Sequence, residues 1–122
     1  MSRERVSLGR QGEELAAEEL GRQGYSIIAR NWRCYMGEVD LVALRGDTWF
    51  FFEVRTRRGR AYGTPEESVT PRKKERMVDV ARMYLAENDQ NVHEIGWQIG
   101  MVAVEMDQSG YLLRIDIYDT LA

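Results

Sequence analysis

Two runs of alternating residues around Gly46-Asp47 constrain this chain more than any other feature. Residues 38–44 and 48–56 are rich in Val, Leu, Phe and Trp, and a Gly-Asp step between two such runs predicts a β-hairpin closed by a two-residue turn. That turn sets Val39 against Val54, Leu41 against Phe52 and Ala43 against Phe50 on a wholly apolar face. The other face pairs Leu44 with Trp49, Val42 with Phe51, Asp40 with Glu53 and Glu38 with Arg55, apolar near the turn and charged at the far end. A slip of one residue would oppose Asp40 to Phe52 and Glu53 to Val39, so patterning selects the first register. Asp40 and Glu53 are then expected directly opposite one another, with Cβ atoms about 4.5–5.5 Å apart, which is unfavourable for like charges unless something compensates. Two compensations fit. Arg55, two residues beyond Glu53, neutralises the pair as a structural ion cluster, or a hard divalent cation sits between the carboxylates, as Mg²⁺ does with one or two carboxylates plus water and phosphate oxygens.

The rest of the chain supplies a setting for the hairpin. Leu8, Gly12, Leu15, Ala16 and Leu20 recur at helical spacing and predict a first helix over residues 7–22, stopped by Gly21 and Gly24. Glu13 borders its apolar stripe and Glu14 points away, so Glu13 is a candidate third acid for the charged end of the hairpin. Glu19 falls inside the same stripe with no evident reason. Residues 25–33 alternate as a strand. Thr70 reads as an N-cap and Pro71 as the first position of a second helix to Asn88, with Met77, Ala81, Tyr84 and Leu85 on its inner face. Residues 99–105 and 111–118 read as a last strand pair. The predicted order is α-β-β-β-α-β-β, one α/β domain over residues 1–122 with a mixed sheet, without repeats or linkers.

Composition excludes several chemistries. With one cysteine, Cys34, and one histidine, His93, neither an internal disulfide nor a Cys/His zinc site is expected, so metal chemistry falls to carboxylates. No apolar run approaches the ~18 residues of a membrane span, and the first twenty residues do not resemble a signal peptide; a cytoplasmic protein without membrane contact is expected.

The net charge of −3 argues at face value against a nucleic-acid partner, but it averages two populations. From Arg55 to Arg76 there are eight basic residues and three acids, a local +5, which leaves −8 for the rest of the chain. Gly59, Tyr62 and Gly63 interleave this band, a composition suited to close approach to a phosphate backbone. Arg72, Lys73, Lys74 and Arg76 crowd the start of the second helix, where the macrodipole disfavours cations by roughly 0.3–1 kcal/mol each. A phosphate there would offset that cost and accept the helix's free amides. Trp49 and Phe51 read as core residues.

Together, Gly9-x-x-Gly12-Glu13 with Ala16, Gly24-Tyr25, Arg30-Asn31, Gly37-Glu38-Val39-Asp40-Leu41-Val42, Phe52-Glu53-Val54-Arg55-Thr56-Arg57, Val69-Thr70-Pro71-Arg72-Lys73 and Ala81 with Tyr84-Leu85 resemble the bacterial YraN family. That family is similar to archaeal Holliday-junction resolvases of the PD-(D/E)xK, restriction-endonuclease-like superfamily. The resemblance covers nearly the whole chain. It implies a restriction-endonuclease-like core in which Asp40 and Glu53 hold Mg²⁺ or Mn²⁺ with help from the Val54 carbonyl, and Glu13 completes the acidic cluster. Arg57, Arg58, Arg60, Arg72, Lys73 and Lys74 would then grip the phosphates of DNA. A homodimer is implied as well, since a junction offers two symmetric strands.

Two departures qualify this expectation. The superfamily's lysine is Arg55 here, and arginine stabilises phosphate charge but cannot act as a base. Where the family usually shows Arg-Phe-Asp, this chain has Gln98-Ile99-Gly100, one cation and one carboxylate fewer. The expected activity is metal-dependent endonuclease-like action on branched DNA. The alternative is a non-catalytic nucleic-acid-binding module that keeps the fold, and a third reading leaves Asp40, Glu53 and Arg55 as a structural cluster in an interaction protein.

Overall fold

Alternating strands give a sheet with two apolar faces, and each face is covered by one helix. The computed structural model describes residues 3–121, with side chains from residue 8 onward. Residues 1, 2 and 122 of the expected domain, and the Ser7 side chain at the expected start of the first helix, lie outside the described residues. In chain order the elements are α1 (Arg3–Arg22), β1 (Ser26–Cys34), β2 (Gly37–Arg45), β3 (Thr48–Arg58), a 3-10 turn (Glu66–Ser68), α2 (Pro71–Glu87), β4 (Gly96–Met106) and β5 (Leu112–Tyr118). The order is the predicted α-β-β-β-α-β-β. The five strands lie side by side in chain order; β3 and β4 are parallel and every other pair is antiparallel.

Each helix seals one face. From α1, Ala16, Ala17 and Leu20 bury against Leu41, Ala43, Phe50, Phe52, Val102 and Val104. From α2, Met77, Val80, Ala81, Tyr84 and Leu85 bury against Val39, Val42, Phe51 and Ile99. The consecutive rings of Phe51 and Phe52 thus anchor opposite layers, each burial being worth about 1.5–3 kcal/mol. Trp32 and Trp49 belong to the α2 layer and meet the Tyr84 ring at 5.2 and 6.0 Å between centroids. Glu19, unexplained by the stripe, binds Arg22 and Gln23 at 2.7 and 2.9 Å and so fastens the end of α1. Thr70 caps α2 as expected, its hydroxyl oxygen accepting the Lys73 amide at 3.2 Å.

β4 begins at Gly96, three residues before the apolar run that announces it, and β3 continues to Arg58 instead of Thr56. The two are matched residue for residue from Thr48–Gly96 to Arg58–Met106. A parallel partner fixes residues such as Gly96, Gln98 and Arg57 that carry little strand preference of their own. Arginines expected to open a loop are therefore held on a strand.

Glycine sets how closely α1 can lie on the sheet. A Cβ at Gly12 would come within 1.8 Å of the Thr56 hydroxyl oxygen on β3. In an open helix Gly→Ala gains roughly 1 kcal/mol; here overpacking reverses the sign, and Gly12→Ala is expected to cost about 1–3 kcal/mol in urea denaturation. Adding Thr56→Ala to the same chain should recover most of the loss.

A second cluster fastens the segment between β3 and α2 to the far edge. Arg114 on β5 binds both oxygens of Glu66 at 2.7 and 2.9 Å, and also Glu105 and Asp116. The Tyr118 hydroxyl donates to Glu66 at 2.7 Å, and Arg60 forks onto Glu105, which is 3% exposed. The Arg114 guanidinium, aided by Tyr118, holds the Glu66 carboxyl at about 2. A lowered carboxyl pKa stabilises the fold above the ordinary value of 4.5 and loses that contribution as pH falls toward 2. Arg114→Met should lower stability at pH 7 by about 1–2 kcal/mol, because it removes the cation that Glu66, Glu105 and Asp116 share while Arg60 still answers Glu105. It should also flatten the acid-induced fall in melting temperature followed by circular dichroism.

Candidate active site

β2 and β3 part company at the charged end of the hairpin. Their ladder runs from Arg45–Thr48 to Leu41–Phe52 in the predicted register, and there it stops. Val39–Val54, Asp40–Glu53 and Glu38–Arg55, expected as further rungs, are not ladder pairs. Beyond this point β2 stays with β1 as far as Gly37–Cys34, while β3 stays with β4. Val39 accordingly joins the α2 layer and Val54 the α1 layer, on opposite faces rather than together. The cause lies in Asp40. Its Oδ2 accepts the Val54 amide at 2.8 Å, a donor that a regular antiparallel ladder would give to main-chain carbonyl oxygen. Glu38 finds Arg33 on β1 at 2.6 Å instead of Arg55.

Parting the strands brings the acids together rather than separating them. Asp40 and Glu53 meet side chain to side chain within hydrogen-bonding reach, and Glu13 on α1 acts on Asp40 through its charge. Burial pushes the Asp40 pKa up to about 8, and the neighbouring Glu53 adds to the rise while the Val54 amide opposes it. Glu53 is itself buried, with 7% of its surface exposed. Burial also raises the Glu13 pKa, against a hydrogen bond to Asn31, and its Oε1 has no hydrogen-bond partner among the described residues. The close seat of Gly12 on Thr56 is what carries Glu13 this deep.

Two cations answer the pair. Arg55 Nε lies 3.6 Å from Glu53 Oε1, as the sequence suggested for the compensating charge. Lys73, expected on a phosphate grip, extends from the first turn of α2 to Glu53 Oε2 at 3.1 Å. Sequence spacing gave no sign of this, because twenty residues separate the two positions and only the crossover from β3 through α2 closes the distance. Asn31 likewise carries no local signal of a role in the sequence. It sits with φ of 52° beside Glu13, a left-handed conformation that asparagine tolerates better than most residues, and its only sequence signal is membership of the Arg30-Asn31 motif.

The remaining basic residues divide between two places: Arg57 and Arg58 line a groove together with Arg55, whereas Arg60 and the cations at the start of α2 lie elsewhere. Arg57 donates to the Thr56 carbonyl at 3.2 Å, Arg58 to the Gln108 carbonyl at 3.0 Å, and Arg60 is taken by Glu105. Arg72 is exposed at the α2 N-terminus and Lys74 is half-buried beside it. At Gly100 the space for any side chain is filled: a Cβ would lie 2.5 Å from the Tyr118 carbonyl oxygen and 2.8 Å from the Phe52 ring. Cys34 is a half-buried free thiol and His93 is exposed.

Among the described residues no group of three acidic, histidine or cysteine side chains is drawn up as a ready metal cage. The donor set nonetheless suits a hard cation. Asp40 and Glu53 supply two adjacent carboxylates, the number Mg²⁺ usually takes from protein, and Glu13, with an oxygen lacking a hydrogen-bond partner among the described residues, is close enough to act on Asp40 through its charge. The Val54 carbonyl leaves β3 on the edge that faces Asp40, since amide and carbonyl of one strand residue point the same way.

An α/β domain whose five-stranded mixed sheet opens around a closely paired aspartate and glutamate is the class that this fold and site define. Residues 12–118 match the Uncharacterised protein family UPF0102, and the chain belongs to that family, which is the YraN family. It is 40% identical to a UPF0102 protein of Pelotomaculum thermopropionicum over 98% of both chains. It is 42% identical to one of Roseiflexus castenholzii, over 87% of this chain and 85% of the relative. For one of Nocardia farcinica the figure is 50%, over 70% and 68%. No helix of the described residues is long and apolar enough to cross a membrane.

The raised Asp40 pKa has a definite sign. A carboxyl whose folded pKa exceeds its ordinary 3.8 stabilises the fold while protonated, and that contribution is lost as pH rises through about 8. In thermal melts without divalent ions, the wild-type melting temperature should therefore fall between pH 6 and pH 9, two settings that bracket about 8. Asp40→Asn, which keeps an oxygen for the Val54 amide, should be flat over that range and the more stable protein at its alkaline end.

Proposed function

We propose that this chain is a metal-dependent endonuclease of branched DNA, with Asp40 and Glu53 as the ligands of a Mg²⁺ or Mn²⁺ ion. The observation that carries the reading is the carboxylate pair at the mouth where β2 leaves β3, Glu53 buried and Asp40 half-buried, with a third acid, Glu13, acting on Asp40 through its charge. A divalent ion held there supplies Lewis-acid neutralisation of the phosphodiester's charge. The chain's own groups do the rest. The Val54 amide fixes the Asp40 carboxylate in direction, and Glu13 offers its free oxygen as an accessory acceptor. Arg55 and Lys73 offset the charge of Glu53 in the resting protein. With a phosphodiester bound, Arg55 would turn a donor to the phosphate oxygens, a permanent cation at the reacting centre. Exposed Arg72 at the start of α2 contributes to holding flanking phosphates.

A second reading has its own support. Glu53 is already answered by Lys73 and Arg55, and Gly100 has no room for a further acid, so a DNA-binding module without catalysis fits the same geometry. Incubation of nuclease-free protein with junction, flap and linear DNA in Mg²⁺ or Mn²⁺ separates the two. The endonuclease reading expects cleavage of the branched forms, reduced on the order of 10²–10³-fold in Asp40→Asn and in Glu53→Gln. Salt-dependent binding with no cleavage in any divalent ion favours the module. Absence of both at moderate salt sinks both readings.

A further inference from the structure

Past Phe52, β3 keeps a ladder partner on one side only, and its other edge borders a groove against α1. The groove holds about 530 Å³ and is lined by Leu8, Gly9, Val54, Arg55, Arg57 and Tyr62, among others. That volume lies within the roughly 300–1,000 Å³ usual for small-molecule sites.

Its chemistry is specific. Arg55, Arg57 and Arg58 all line it. Three guanidinium groups along one groove ask for an anion. Leu8, Gly9 and Val54 add apolar wall, and the Tyr62 ring stands 82% exposed at the rim. An anion joined to a flat ring is what this combination accepts. Arg55 also belongs to the acid site, 3.6 Å from Glu53, so the groove and that site share a wall.

We infer that the groove seats one nucleotide of an unpaired DNA strand next to the carboxylate pair, its phosphate on Arg55 and Arg57 and its base against Tyr62. Bases of a duplex turn their faces to one another, and only an unpaired base offers a face to an aromatic side chain. The groove therefore selects substrates that carry a single strand beside the reacting bond. The inference deepens the nuclease reading and rests on it only for the position of that bond.

The test is fluorescence anisotropy with a short DNA duplex, blunt or extended by a single-stranded tail, in Ca²⁺ to hold cleavage off. Wild-type protein should bind the tailed probe about tenfold more tightly, the scale of one base stacked on one aromatic ring. Tyr62→Ala should abolish that preference and Tyr62→Phe should keep it. Arg57→Lys, which retains the charge but has no Nε–H, should lose part of it. Equal affinity for both probes in the wild type overturns the inference, as does a preference that survives Tyr62→Ala. Cleavage in Mg²⁺ is scored separately with Asp40→Asn. Cleavage that Asp40→Asn abolishes, without tail preference, leaves the nuclease reading standing and the groove refuted. A Tyr62-dependent preference without cleavage does the reverse.

Discussion

One hydrogen bond organises the functional end of this domain. By taking the Val54 amide, the Asp40 carboxylate ends the ladder between β2 and β3 and replaces a backbone contact with an acid. Everything of chemical interest follows from that exchange. Glu53 is left facing a carboxylate instead of a neighbour across a closed sheet, β3 acquires an open edge, and α1 can deliver Glu13 to the gap. The cost is borne by the two layers on either side, where Phe51 and Phe52 are almost wholly buried and hold the strands together just before they separate.

The distribution of charge follows the same division. The chain's basic band divides: Lys73 and Arg55 reach the acid pair, Arg60 is consumed by Glu105, and Arg57 and Arg58 join Arg55 along the groove. Arg114 and Glu66 strap the intervening segment to β5, which holds the start of α2 in place and with it Lys73. A count of cations in sequence therefore overstates what is free to meet phosphate.

Much of this was legible in the sequence. The hairpin register from Leu44–Trp49 to Leu41–Phe52, the Thr70 cap, the inner face of α2 and the element order all follow from local pattern, because burial on one face dictates each of them. The site was half legible. Alternation placed Asp40 near Glu53 and a helical wheel turned Glu13 toward them, yet the same alternation wrongly kept Val39 and Val54 on one face. Periodicity assumes that strands stay paired, and a side chain that captures a backbone amide breaks the assumption without altering the pattern. Lys73 and Asn31 lay beyond reach for another reason: their roles arise from tertiary distance alone.

The tight seat at Gly100 bears on how such a site changes over time. With the Phe52 ring and the Tyr118 carbonyl occupying the volume of a side chain, positions 52, 100 and 118 form a single packing unit drawn from three adjacent strands. A carboxylate cannot enter at position 100 by one substitution while that ring stays in place. In this chain the acids at the site come from α1, β2 and β3, and position 100 on β4 serves packing alone.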